Sequence, residues 1–122
     1  MLGEPSAKQL IEAAAGFLEK TAAPQLSGHA AFHARVAINV LQTVGRELEL
    51  GPAAAAAETA RLAALLGREG DLSSLRRDLC ARLRAGDMTA ATPGLLDHLL
   101  ATAADRVAIE QPGYTSLKRA RA

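Results

Sequence analysis

His29 and His33 stand four residues apart in a stretch that reads as helix, which puts both imidazoles on one side. That spacing is half of a zinc site, but a site needs a third and usually a fourth ligand. His98, Glu47 or Cys80 would have to supply them, and no spacing selects any of these. His29 and His33 are therefore weak metal candidates, and neither metal nor other cofactor is expected. The other reading of His33 is a core histidine, hydrogen-bonded to a carbonyl or carboxylate of a neighbouring helix. Arg35, Asn39, Gln42 and Arg46 fall on the opposite side of the same helix. Guanidinium groups match planar anions with two parallel hydrogen bonds. His33, Arg35, Asn39 and Arg46 are thus the candidates for binding a ligand or partner. The plainer reading is a solvated face closed by local pairs such as Arg46 with Glu49.

Further along, Arg76, Arg77, Arg82 and Arg84 gather around one acid, Asp78. Clustered arginines hold phosphate, but nucleic-acid binding also calls for a wide basic field or aromatic platforms. The chain has Lys+Arg 14 against Asp+Glu 13, a net charge of +1, and only two Phe, one Tyr and no Trp. No nucleic acid is expected. Cys80 is the single cysteine, so no internal disulfide forms. It reads as a small buried hydrophobe beside Leu79. There is no glycine-rich phosphate loop, no G-x-S-x-G, no C-x-x-C and no H-E-x-x-H. The acids are scattered, so no catalytic residue is assigned and the reading leans away from an enzyme.

The elements that must position these side chains are helical. Ala and Leu dominate the 49% apolar fraction, and both favour helix, while β-branched and aromatic residues are few. Ser6-Ala-Lys-Gln9 has the form of a capping box, and Leu10, Ile11, Ala14, Phe17 and Leu18 continue at helical spacing. The first helix is expected from about Ser6 to Thr21, stopped by Pro24. Ser27 or Gly28 opens the second, which closes at Gly51. Its apolar face is Phe32, Val36, Ala37, Val40, Leu41, Val44 and Leu48, with His33 near the centre. Pro52 suits the first position of a third helix reaching Gly67 or Gly70. Its alanines, Ala53 to Ala57 with Ala60, Ala63 and Ala64, suit close packing in the fold or a subunit contact. Asp71 caps a fourth helix with the stripe Leu72, Leu75, Leu79 and Leu83, ended by Gly86-Asp87. Thr92-Pro93 opens a fifth with the stripe Leu96, Leu99, Leu100, Ala103 and Val107, ended by Gln111-Pro112-Gly113. Short loops favour antiparallel neighbours. The expectation is an all-α, up-and-down bundle of about five helices. It forms a single domain over 1–113, followed by a basic, flexible tail over 114–122.

The N-terminus has no basic segment followed by an apolar run, so no signal peptide is expected. The apolar runs are too short to span a bilayer. Reduced Cys80 and these absences suit a cytoplasmic protein without membrane attachment.

Three stretches carry a resemblance. Ala31-Phe-His-Ala-Arg-Val-Ala-Ile-Asn-Val-Leu leads into Arg46-Glu-Leu-Glu-Leu-Gly. Leu75-Arg-Arg-Asp-Leu-Cys-Ala-Arg-Leu-Arg-Ala-Gly86 and Val107-Ala-Ile-Glu-Gln-Pro-Gly-Tyr114 follow. Together they resemble a bacterial all-helical domain family of unknown function, over about Pro5 to Tyr114. Its members accompany aminoglycoside-phosphotransferase-like kinases and acyl-CoA dehydrogenases. The resemblance implies an accessory domain for such a kinase or for an acyl-CoA pathway, acting in trans. Together with the polar face of the second helix, it leads to the expectation of a non-enzymatic interaction module that docks on a kinase-like or acyl-CoA-dehydrogenase-like partner through that strip, with a homodimer as a further arrangement. The alternative is a small-ligand protein that takes acyl-type molecules in an apolar slot between helices.

Overall fold

The computed structural model describes residues 3–122. It is all-α: among the described residues there are five α-helices and no strand. They are α1 (Ala7–Phe17), α2 (Gly28–Leu66), α3 (Leu72–Ala85), α4 (Leu95–Glu110) and α5 (Leu117–Ala120). The chain divides into two units, Met1–Gly51 and Pro52–Ala122, and α2 contributes to both.

In the first unit the capping box forms as expected. Ser6 Oγ accepts from the Gln9 backbone N–H at 3.1 Å, and Gln9 Oε1 accepts from the Ser6 N–H at 2.8 Å. The helix outlasts its expected end by changing its winding. A π-helical turn (Leu18–Ala22) and a 3₁₀ turn (Ala23–Gln25) carry it past Pro24. Gln25 Nε2 then donates to the Thr21 carbonyl at 2.8 Å, satisfying one of the terminal acceptors.

The first face of α2 does not have the expected phase. Ala34, Ile38 and Gly45 are buried and Leu41 is half-buried. These residues lie on one side of the helix at about 100° per residue. Ile11 reaches within 3.7 Å of where a Gly45 Cβ would stand, so α1 packs along this seam. The larger residues Phe32, Val36, Val40 and Val44 stay 64%, 43%, 55% and 39% exposed. Small residues let two helices approach closely, and that close approach outweighs the size of the opposing stripe.

The expected second and third helices are one. Pro52 lies inside α2 instead of opening a new helix. A proline ring supplies a helical φ and removes one donor, so the Leu48 carbonyl loses its partner while the winding continues. The alanine face that follows stays mostly exposed, with Ala53, Ala55, Ala56, Ala57, Ala60 and Ala64 all at the surface. It is therefore not an internal packing face.

The second unit has the fuller core. Leu62 and Leu66 of α2, Leu75 and Leu79 of α3, Met88 and Leu95 form one buried cluster, with Ala63, Leu65 and Leu72 against it. Gly67 ends α2 at a φ of 70°, a left-handed conformation that glycine adopts without a Cβ clash. Asp71 caps α3 by accepting from Ser74 N–H at 2.8 Å, and Gly86 closes it at a φ of 81°. Both ends match the expectation. α4 begins later than Thr92-Pro93, after Gly94, because Thr92 Oγ1 is spent accepting from Thr89 N–H within the preceding turn. Its phase also differs: Leu95, His98, Ala104 and Ile109 are buried, whereas Leu96, Leu99 and Leu100 are exposed. The segment expected to be a flexible tail ends in the single turn of α5, and Arg121 Nη2 donates to Asp105 Oδ1 at 2.9 Å.

Candidate functional site

The candidate residues of α2 occupy two places. Arg35 is exposed and stands 3.7 Å from Glu19 across the α1 seam. Asn39 is exposed, and its carbonyl accepts from Thr43 Oγ1 at 2.9 Å. Arg46 is half-buried, donates to Thr43 Oγ1 at 3.2 Å, and lines a cleft of about 370 Å³ with Lys8, Ile11, Glu12, Leu41 and Glu49. Lys8 and Glu49 face each other across that cleft at 3.6 Å. The strip is thus shared between outward-facing groups, Arg35 and Asn39, and a group turned into the α1–α2 seam, Arg46.

His33 is not a core histidine. It is exposed, and its ring meets Phe32 edge to face at a centroid distance of 5.5 Å. The phase of α2 explains this: with Ala34 and Ile38 taking the seam, His33 turns away with Val36 and Val40. His29 is exposed as well. No group of three or more His, Cys, Asp or Glu able to hold a metal ion occurs among the described residues. Cys80 is exposed, not buried, because α3 turns Leu75 and Leu79 inward and Cys80 out.

The arrangement on the outer side of α2 is an apolar centre, Phe32, Val36, Val40 and Val44, bordered by His33, Arg35 and Asn39. An apolar patch with a polar, arginine-bearing rim has the anatomy of a protein-binding surface.

The second unit holds a polar cluster that the sequence reading did not find. Glu58, buried on α2, accepts two hydrogen bonds from Arg76, at 2.7 Å from Nε and 2.6 Å from Nη2. This guanidinium holds the Glu58 carboxyl below its ordinary range, against the opposing effect of burial. One turn along α2, Arg61 donates from Nε to His98 Nδ1 at 3.2 Å and from Nη2 to Thr102 Oγ1 at 3.0 Å. An Nδ1 that accepts is unprotonated, so His98 is neutral in this arrangement. Burial pushes the His98 imidazole below its ordinary value, and the Arg61 charge adds to that. A cleft of about 350 Å³ opens beside it, lined by Arg61, Leu65, Gly94, Asp97 and His98. Glu58 on α2 and His98 on α4 are separated in sequence by the whole of α3 and two connections, so only their burial among leucines could have pointed to them.

Three of the four arginines clustered on α3 hold partners within the fold, and Arg84 is exposed. Arg76 holds Glu58, Arg77 donates to Ser73 Oγ at 2.8 Å, and Arg82 shares Asp78 with Arg68.

The chain belongs to a family of domains of unknown function. The family model that matches is the domain of unknown function DUF6285, over residues 24–114, more than half of the chain. The match begins after α1, later than the resemblance drawn from the sequence. No curated protein matches, and no solved structure matches. No helix among the described residues is long and apolar enough to cross a membrane.

Proposed function

We propose that this chain is a non-enzymatic interaction module that docks other proteins on the outer side of α2. The observation that carries the reading is the exposed row Phe32, Val36, Val40 and Val44, bordered by His33, Arg35 and Asn39. Apolar side chains of this size in one continuous row gain from leaving water, at about 25 cal/mol per Å², and the polar border supplies orientation. Arg46 supports the face from behind, in the α1–α2 seam. The resemblance to domains that accompany aminoglycoside-phosphotransferase-like kinases and acyl-CoA dehydrogenases nominates such a protein as partner, with action in a cytoplasmic setting. The clefts beside Arg46 and His98 are lined by both charged and apolar side chains.

The test is calorimetric titration of the chain against a purified kinase and a purified dehydrogenase of those two classes. Replacing Arg35 and Asn39 together by Ala is expected to abolish binding while the melting temperature stays within a degree or two of wild type. Unfolding of that variant would show that the strip is structural, and unchanged binding would remove it from the docking face.

A further inference from the structure

We propose that the cleft between α2 and α4 is a binding site for a small carboxylate that also carries a hydroxyl or an ammonium group. It lies wholly within the second unit and uses no residue of the docking row.

The first support is a charge without a counter-ion. Arg61 is half-buried, and its bonds go to His98 Nδ1 and Thr102 Oγ1, both neutral acceptors. Arg68, Arg76, Arg82, Arg106 and Arg121 each pair with an acid, whereas Arg61 pairs with none among the described residues. Glu58 is near enough to feel the Arg61 charge, but both its oxygens are held by Arg76. A guanidinium drawn partly out of water without an anion is costly, and an incoming carboxylate removes that cost. The two bonds also hold the guanidinium in place, so little ordering is left for a ligand to impose. Its Nη1 has no partner among the described residues and is left to donate.

The second support is a buried donor that opens on the same space. His98 is 4% exposed. Its Nδ1 accepts from Arg61, so the neutral ring carries its proton on Nε2. No acceptor among the described residues meets that N–H. Yet no side-chain nitrogen sealed from solvent lacks a partner among them. Nε2 therefore opens on solvent, and the opening that His98 lines is this cleft. A guanidinium and an imidazole N–H bordering one space are suited to the oxygens of a carboxylate. Gly94 gives the first turn of α4 no side-chain cap, so that end of the helix also favours an anion.

Asp97 lines the cleft as well, and it sets the selectivity. A bare anion meets its like charge there. A hydroxyl or ammonium on the ligand gives its carboxylate a hydrogen to accept. Leu65 and Ala64 add apolar surface for the carbons between the two groups. A volume of about 350 Å³ is at the small end of ligand sites and suits a molecule of a few carbons.

Heteronuclear NMR of the full chain tests this, with lactate, L-serine, acetate and sulfate as probes. Lactate and L-serine are expected to shift the amides of residues 95–98 and the His98 ring nitrogen Nε2 saturably. Acetate, which has no hydrogen for Asp97, should bind about tenfold more weakly. His98→Asn keeps an acceptor for Arg61 but lacks the Nε2–H, and should weaken lactate about tenfold with the fold intact. Asp97→Ala, at an exposed position, should erase the preference for lactate over acetate. Should His98→Asn lose its fold, Asp97→Ala still decides the matter. The absence of a saturable shift with both lactate and L-serine overturns the proposal. So do shifts that survive His98→Asn unchanged, a preference for lactate that Asp97→Ala leaves intact, or sulfate bound as tightly as lactate. The docking titration above reads residues of the first unit and is independent of these results.

Discussion

His98 shows how one residue sets the pH response of this fold. It is buried, and it accepts from Arg61 only when Nδ1 is unprotonated. Its folded pKa lies below the ordinary histidine value of about 6.5. The unfolded chain therefore takes up a proton there more readily than the folded one. The His98 contribution is fully present above the unfolded pKa and is lost as pH falls toward the folded one. Glu58, with its pKa lowered by Arg76, acts in the same direction at lower pH. Its contribution is present above the unfolded carboxylate value and is lost as pH falls through the folded value. Urea denaturation at pH 7, 6 and 5 should show falling stability. His98→Asn keeps an acceptor for Arg61 without titrating, so its loss over that interval should be smaller. Equal slopes for the two proteins would place the acid sensitivity elsewhere.

The same residue explains a misread face. The buried side of α4 runs through Leu95, His98 and Ile109, with Thr102 half-buried between them. Two polar members hide it from an apolar-stripe reading. The exposed leucines Leu96, Leu99 and Leu100 make the better stripe on paper. Leu79 is buried in the core cluster, and Leu99 is 42% exposed. Leu79→Ala should therefore cost about 2–5 kcal/mol, and Leu99→Ala under about 1 kcal/mol. Chemical denaturation measures both, and equal costs would contradict the phase of α4.

At the scale of the element, α2 is where local signals and structure part. Some caps and one glycine stop were legible because each acts within one turn, whereas the Thr92 cap and the Gly51 stop did not hold. Ser6 with Gln9, Asp71 with Ser74, and Gly86 fulfil their expected roles. The face of α2 was not legible, because both of its sides are apolar. One is built of small residues, Ala34 and Gly45, around Ile38, and the other of Phe and Val. Hydrophobic pattern ranks the larger side first, whereas close packing selects the smaller. The Gly51-Pro52 pair was legible as a break and proved to be only a missing rung. Proline in a helix interior costs up to ~3 kcal/mol relative to alanine. Pro52→Ala should therefore raise stability by about 1–3 kcal/mol and increase helical ellipticity. An unchanged or lower melting temperature would show that the surroundings of Pro52 are built around its ring. The candidate docking row was itself legible as residues but not as a surface. Phe32, Val36, Val40 and Val44 look like core from spacing alone, and only the burial of their opposite side turns them outward.

At the scale of the molecule, two units of unequal core share one chain. The second has the leucine cluster with its Glu58–Arg76 and Arg61–His98 bonds, while the first has three small or medium buried hydrophobics. Hydrogen exchange on the full chain should therefore be uneven. Amides of α3 and of the Glu58–Leu66 segment should be protected beyond those of α1 and the Gly28–Gly51 segment. Uniform protection would mean that the first unit has a stability source other than its own core.

The outward position of Cys80 has a practical side. The chain contains no tryptophan, and Tyr114 is its only tyrosine, so native fluorescence is almost silent. A single accessible thiol on α3 gives one stoichiometric attachment point for a dye. A probe there would report the melting of α3 by light, without perturbing Leu75 or Leu79 on the inward side of the same helix.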